Sequence, residues 1–178
     1  MSKSSSSPEN WSTSWSGRLL LPLLGLLLLS ACGYQLTANA PIDLPQDSSR
    51  LYLAKVTNPT TETWFEPMLR SSLRDELTRR GQVTWVDRNE AEATVNIDVR
   101  SYSTSDAVKG RDDVTFKSKV TIRMEVSFFS TKTSAMIWTS GPVVASESYR
   151  GTGGKKDATQ EAVDLAMRMV ADRLSQKF

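Results

Sequence analysis

The chain contains no histidine. That absence excludes Ser-His-Asp and Cys-His catalysis and the usual histidine-containing zinc sites. Catalysis by carboxylates alone stays chemically open, but nothing in the sequence favours it. There is a single cysteine, Cys32, so no intrachain disulfide can form. Neither sign of charge dominates: the formal net charge is +2. A near-neutral chain gives no global case for nucleic-acid binding, and any recognition of anions must be local. No apolar run approaches the roughly 20 residues of a membrane-spanning helix. The run from Leu19 to Leu29 is interrupted by Pro22 and Gly25 and is too short. No internal repeat is visible.

The position of that run and of Cys32 is informative. Met1 to Gly17 is Ser-rich and polar, with Lys3 and Glu9 its only charges, and Arg18 precedes the leucines. A 7–15-residue apolar segment followed by small residues is the pattern of a secretory signal peptide, although the basic segment before it is weak and long. Leu29-Ser30-Ala31-Cys32 resembles the bacterial lipobox at all four positions. The resemblance implies that residues 1–31 are a lipoprotein signal peptide. Cys32 then becomes the first mature residue, carrying a covalent diacylglycerol thioether and an N-acyl lipid. Acylation also explains why one cysteine suffices in a chain sent to an oxidising compartment. Two or more acyl chains anchor stably where one is marginal. Gly33 after the cysteine, by resemblance to other lipoproteins, implies the outer membrane of a Gram-negative cell, on its periplasmic side. Loss of Lys3, Arg18 and Glu9 with the signal lowers the formal charge from +2 to +1.

Residues 32–50 hold two prolines and little periodicity, and read as a lipidated tether spanning at most about 60 Å. Tyr34 and Leu36 are candidates to dock on the domain. Residues 51–178 then read as one domain. Leu51 to Asn58 has β character. Phe65, Leu69, Leu73 and Leu77 recur every four residues in a helix ended by Gly81, with Thr63 and Glu66 at capping-box spacing and Pro67 in the first turn. Val83 to Asp87 is a short strand, and Thr94 to Tyr102 alternates. From Phe116 to Phe128 apolar residues occupy every second position except Ser118, which predicts a long antiparallel strand with one dry face. Met136 to Thr139 begins another strand, resuming around Val143 to Tyr149. A final helix starts near Asp157 with Gln160 in the capping-box position, and carries an apolar stripe through Leu174. The expected fold is α+β: a two-layer sandwich in which two amphipathic helices cover one face of a small mixed sheet of about four strands.

Two groups of cations fall on the surface of such a fold. Lys117, Lys119 and Arg123 alternate on the wet face of the long strand, spaced roughly 6.6 Å per two-residue step. They are either a solvated sheet face or an electrostatic surface for an anionic partner. The second group depends on topology. If the Thr94 strand pairs antiparallel with the Phe116 strand, the loops Ser103–Val114 and Arg150–Lys156 leave the sheet at one end. Lys109, Arg111, Arg150, Lys155 and Lys156 then gather there, diluted by Asp106, Asp112, Asp113 and Asp157. A right-handed crossover makes the Leu51 strand parallel to the Thr94 strand and places the tether at the opposite end. This basic tip is either ordinary solvated loops or a site for phosphate groups. "RGTGGKKDAT" fails as a phosphate loop because Lys156 replaces Ser or Thr and Tyr149 the first glycine. Asp87 and Asp112-Asp113 have no partners at metal-ligand spacing, so no metal site is expected.

The ordered set "ACGYQL", a strand–helix unit, "AEATVNIDV", "KSKVTIRMEV", "TSAMIW" and a C-terminal amphipathic helix resembles the lipopolysaccharide-assembly lipoproteins (LptE) over essentially the whole mature chain. The resemblance implies an outer-membrane lipoprotein that is not an enzyme and needs no cofactor beyond the lipid on Cys32. It implies a plug inside an LptD-like β-barrel, whose assembly it assists, and binding of lipopolysaccharide on its way to the outer leaflet, which would make the wet-face cations a surface for the barrel lumen or lipid phosphates and the basic tip a site for lipid A phosphates. Another class stays open: a periplasmic lipoprotein adaptor of another envelope system, such as a lipid-transporter subunit or a cell-wall enzyme activator.

Overall fold

The computed structural model describes residues 41–45, 48–81, 83–109 and 115–176. The signal-peptide and lipidation readings, with Tyr34 and Leu36, lie outside these residues, as does Arg111. The elements in chain order are β1 (Arg50–Thr57), α1 (Phe65–Arg80), β2 (Thr84–Trp85), β3 (Ala93–Lys109), β4 (Thr115–Ser130), β5 (Met136–Thr139), β6 (Val143–Tyr149) and α2 (Lys155–Leu174).

The six strands form one mixed sheet in the order β2-β1-β3-β4-β5, with β6 also paired to β4. β1 is parallel to β3, joined to it by a crossover connection that contains α1. β4 runs antiparallel to β3, β5 and β6. The class is the expected α+β sandwich, with two more strands than the sequence suggests: β2 is only two residues long, and β6 continues alongside β4 past a Gly141-Pro142 link.

Alternation places Val120, Ile122, Met124, Val126 and Phe128 of β4 on the buried face beside Val95, Ile97 and Val99 of β3. Phe65, Leu69, Leu73 and Leu77 of α1 lie fully buried, so the leucine stripe is core. Each such side chain contributes about 1.5–3 kcal/mol on leaving water. α2 buries mostly smaller residues, Ala162, Val163, Ala166 and Val170, beside Met167.

Neither expected capping box forms. α1 begins after Trp64, whose side chain makes no cap bond, and Glu66 pairs with Arg70 one turn on. The preceding loop is held by Asn58 instead, whose Oδ1 accepts from the Thr60 amide at 2.9 Å and hydroxyl at 2.8 Å. α2 starts at Lys155, running straight on from a 3-10 turn, Thr152–Gly154. Gln160 donates to Ser72 Oγ of α1 at 2.9 Å and to Asp164 Oδ1 at 2.8 Å, so it ties helices together and does not cap.

Residues 41–45 fall within the segment read as tether. Within the segment 41–45, Ile42 is buried in the core, and its N–H donates to the last carbonyl of α1, Arg80 O, at 3.3 Å. The next amide, Asp43, donates to the last carbonyl of α2, Leu174 O, at 3.2 Å.

Candidate functional site

The uncovered face of the sheet is built by the same alternation that buries the core. On β4 it presents Lys117, Lys119 and Arg123, all exposed. The register sets hydroxyls around them. Lys119 lies between Ser105 of β3 and Ser148 of β6, and Thr121 between Ser103 and Ser146, with the Thr121 and Ser146 hydroxyls 2.9 Å apart. Arg123 lies between Ser101 and Val144. Among the described residues none of these three cations has an ion-pair partner, whereas Arg100 on the same face reaches Asp98 at 2.9 Å and Glu125 at 3.6 Å. The face therefore divides. Its lower part is charge-compensated; its upper part is a bed of small hydroxyls bearing cations that no described residue neutralises.

A bulge makes this division. The register shifts between Val99 and Ser101, leaving Arg100 unopposed and returning Tyr102 to the inner face opposite Ile122. Tyr102 there packs against Phe65 with ring centroids 5.2 Å apart, and its hydroxyl lies 3.1 Å from Thr159 Oγ1. The bulge also sends Ser101, Ser103 and Ser105 outward.

The basic tip is only partly assembled. β3 extends to Lys109, so residues 103–109 are strand and not loop. Lys109 pairs in register with Thr115, while the end of β6, Tyr149, pairs with Ser118. The β3–β4 hairpin therefore projects roughly 10 Å beyond β6. Arg150 is exposed at the base of this projection. Lys155 is committed elsewhere: its Nζ lies 2.8 Å from Glu62 Oε1 and 5.6 Å from the Tyr102 ring centroid. The hydrogen bond to Glu62 raises the Lys155 pKa and lowers that of Glu62. Lys156 is exposed, with Nζ 6.0 Å from the Trp64 ring. Glu62 and Trp64 were not legible as partners for these lysines, because 93 residues separate Glu62 from Lys155.

A polar hollow of about 630 Å³ opens on the far layer between the helices, bounded by Ser72, Glu76, Arg79, Gln160, Asp164 and Arg168. Among the described residues no helix is long and apolar enough to cross a membrane.

No curated protein matches the chain. Among solved structures, a hypothetical protein from Chlamydia trachomatis shares the fold at a TM-score of 0.52 and 10% identity, over 71% of this chain and 95% of that one. A lipoprotein from Caulobacter crescentus aligns at 0.49 and 16% identity, over 71% and 88% of the two chains. Lipoprotein B from Nitrosomonas europaea aligns at 0.49 and 14%, over 78% and 90%. The family model described as LptE, lipopolysaccharide-assembly, matches residues 49–178, from the start of β1 through α2. With well over half its length matched by that model, the chain belongs to the LptE lipopolysaccharide-assembly family.

Proposed function

We propose that the protein is a non-enzymatic outer-membrane lipoprotein of a Gram-negative cell, acylated on Cys32. In this reading it assists assembly of an LptD-type β-barrel, occupies its lumen as a plug, and binds lipopolysaccharide during transport to the outer leaflet. Family membership across the whole folded domain supports the assembly role. The observation that carries the ligand reading is the upper outer face, where Lys117, Lys119 and Arg123 stand among serine and threonine hydroxyls with no ion-pair partner among the described residues. Phosphates of a glycolipid need cations that are not already neutralised, and its sugars need small donors and acceptors.

Affinity purification through the tagged, lipid-anchored chain tests the reading. A co-eluting outer-membrane barrel of LptD type is the expected result. Recovery of an inner-membrane transporter component or a cell-wall enzyme in its place overturns it in favour of an adaptor. Mass spectrometry of the membrane-bound chain should find Cys32 acylated, and Cys32→Ala should accumulate as unlipidated precursor.

A further inference from the structure

The two edges of the sheet are built differently. The β1 edge is guarded. β2 pairs with Arg50 and Leu51, and Arg70 Nη1 of α1 donates to Leu53 O at 3.3 Å. The register then slips at Ala54, and Asn58-Pro59 follows the strand. The other edge is shared by β5 and β6, which pair one after the other along β4. β5 is only four residues long, and its register slips between Phe128 and Phe129. Short strands, bulges, prolines and covering side chains all blunt an edge against further pairing.

β6 has none of these. Its seven residues pair with β4 without a break, from Val143 opposite Met124 to Tyr149 opposite Ser118. It contains no Pro, Gly, Lys or Arg. A strand paired on one side only turns alternate N–H and C=O groups outward. Among the described residues no strand, loop or side chain bonds to that outward row. On the open face the strand presents exposed Val144 and the small Ser146 and Ser148. Its one charge, Glu147, lies opposite Val120 on the helix-covered face, where it is partly exposed and has no ion-pair partner among the described residues.

We propose that β6 is a docking edge that takes up one extended segment of the barrel partner, with a cation placed over Glu147. The proposal rests on the barrel-partner reading above. An extended backbone satisfies an alternating row of donors and acceptors, and the side chains beside it set specificity. The strands of a closed barrel wall are already paired on both sides, so the segment is a loop or terminus of that partner. A second copy of this chain matches the edge poorly. Self-pairing centred on Ser146 engages all seven residues, but it makes the two Glu147 side chains diagonal neighbours on one face, roughly 7–8 Å apart. It also adds a second Lys119 and Arg123 to the outer face. A cationic partner residue turns the same Glu147 from a repulsive contact into an attractive one.

The test is hydrogen exchange at single-amide resolution, on the free full chain and on the complex recovered with the outer-membrane barrel. Every second amide of β6 should exchange freely in the free chain and slow in the complex. The intervening amides, already bonded to β4, should change little. Glu147→Lys and, separately, Val144→Lys alter edge positions outside the core and should each abolish the slowing. A co-eluting barrel with β6 exchange unchanged, or slowing that survives either substitution, overturns the docking edge while the barrel reading stands. Slowing in the free chain that grows with its concentration overturns it in favour of self-pairing. Absence of a co-eluting barrel overturns the barrel reading, and the docking edge with it.

Discussion

Lys155 Nζ donates to Glu62 Oε1 at 2.8 Å, joining the first turn of α2 to the loop that enters α1. The same carboxylate accepts from Trp64 Nε1 through its other oxygen, at 2.9 Å. Both groups are about a third exposed, so the pair is screened and its contribution small. Its pH dependence is nonetheless definite. The Glu62 pKa is lowered in the fold, chiefly by the Lys155 hydrogen bond, so its contribution is present above the unfolded carboxylate range and is lost as pH falls through the folded value. The Lys155 pKa is raised by Glu62, so its contribution is complete below the unfolded lysine range and lost as pH rises through the folded value. Glu62→Gln should therefore lower Tm slightly and uniformly between about pH 6 and 9, and the difference should vanish in acid. A difference that persists once pH has fallen below the folded Glu62 value would assign the effect to geometry and not to charge.

Arg80 gives a larger effect. Its guanidinium is almost fully buried, with Nε 2.6 Å from Glu76 Oε1 and Nη1 2.5 Å from Asp172 Oδ1. Glu76 is itself buried and holds Arg79 at 2.5 Å through Oε2, so removing Arg80 alone leaves its other oxygen, Oε1, and Asp172 without this cation. Arg80→Met should cost about 3–5 kcal/mol in urea unfolding. Adding Glu76→Leu should recover most of that, since a buried pair replaced by apolar residues is often neutral. A double variant as unstable as the single one would show that the packing of Arg80, and not its charge, holds the helices.

Gly81 is constrained by a neighbour and not by its own backbone. Its φ of −135° is open to any residue, and its N–H closes the helix on Leu77 O at 2.9 Å. Only the approach of Ile42 excludes a side chain. Gly81→Ala should therefore destabilise by about 1–3 kcal/mol, the range for forcing an extra carbon into a packed site. Ile42→Ala in the same chain should remove much of the added cost. Additive losses in that double-variant cycle would disconnect the two positions.

Period-two alternation from Phe116 to Phe128 is enough to place β4, its dry face and the three cations, because a half-buried antiparallel strand writes its geometry directly into polarity. Period-four spacing does the same for α1. β3 beyond Tyr102 is illegible: "STSDAVK" has no apolar alternation, and its strand character comes from pairing with β4. The bulge at Arg100 is equally silent, since nothing local distinguishes an inserted residue from the next step of a strand. Both capping boxes match by spacing, but tertiary partners take the side chains they need: Arg70 holds Glu66, and Ser72 with Asp164 holds Gln160. The seat of Ile42 cannot be read either, because it depends on two helix ends meeting far from it in sequence.

The outer face yields the prediction that bears most directly on lipopolysaccharide. Lys117, Lys119 and Arg123 are exposed, and their backbones sit in a continuous ladder that their side chains do not support. Replacing all three with Ser should change stability by no more than about 0.5 kcal/mol. If each cation contributes about 1 kcal/mol towards an anionic lipid surface, the triple variant loses about 3 kcal/mol, close to a hundredfold in affinity at low salt. The gap between variant and parent should then narrow as ionic strength rises and the Debye length falls from about 30 Å at 0.01 M to about 8 Å at 0.15 M. Adding charge reversal at Lys109 and Arg111, while leaving Lys155 with Glu62, asks whether the hairpin end belongs to the same surface. A further salt-sensitive loss joins it to the face, whereas no further loss confines binding to the three residues of β4. Lipopolysaccharide affinity and barrel co-purification that both survive the triple substitution at low salt would leave this face merely solvated.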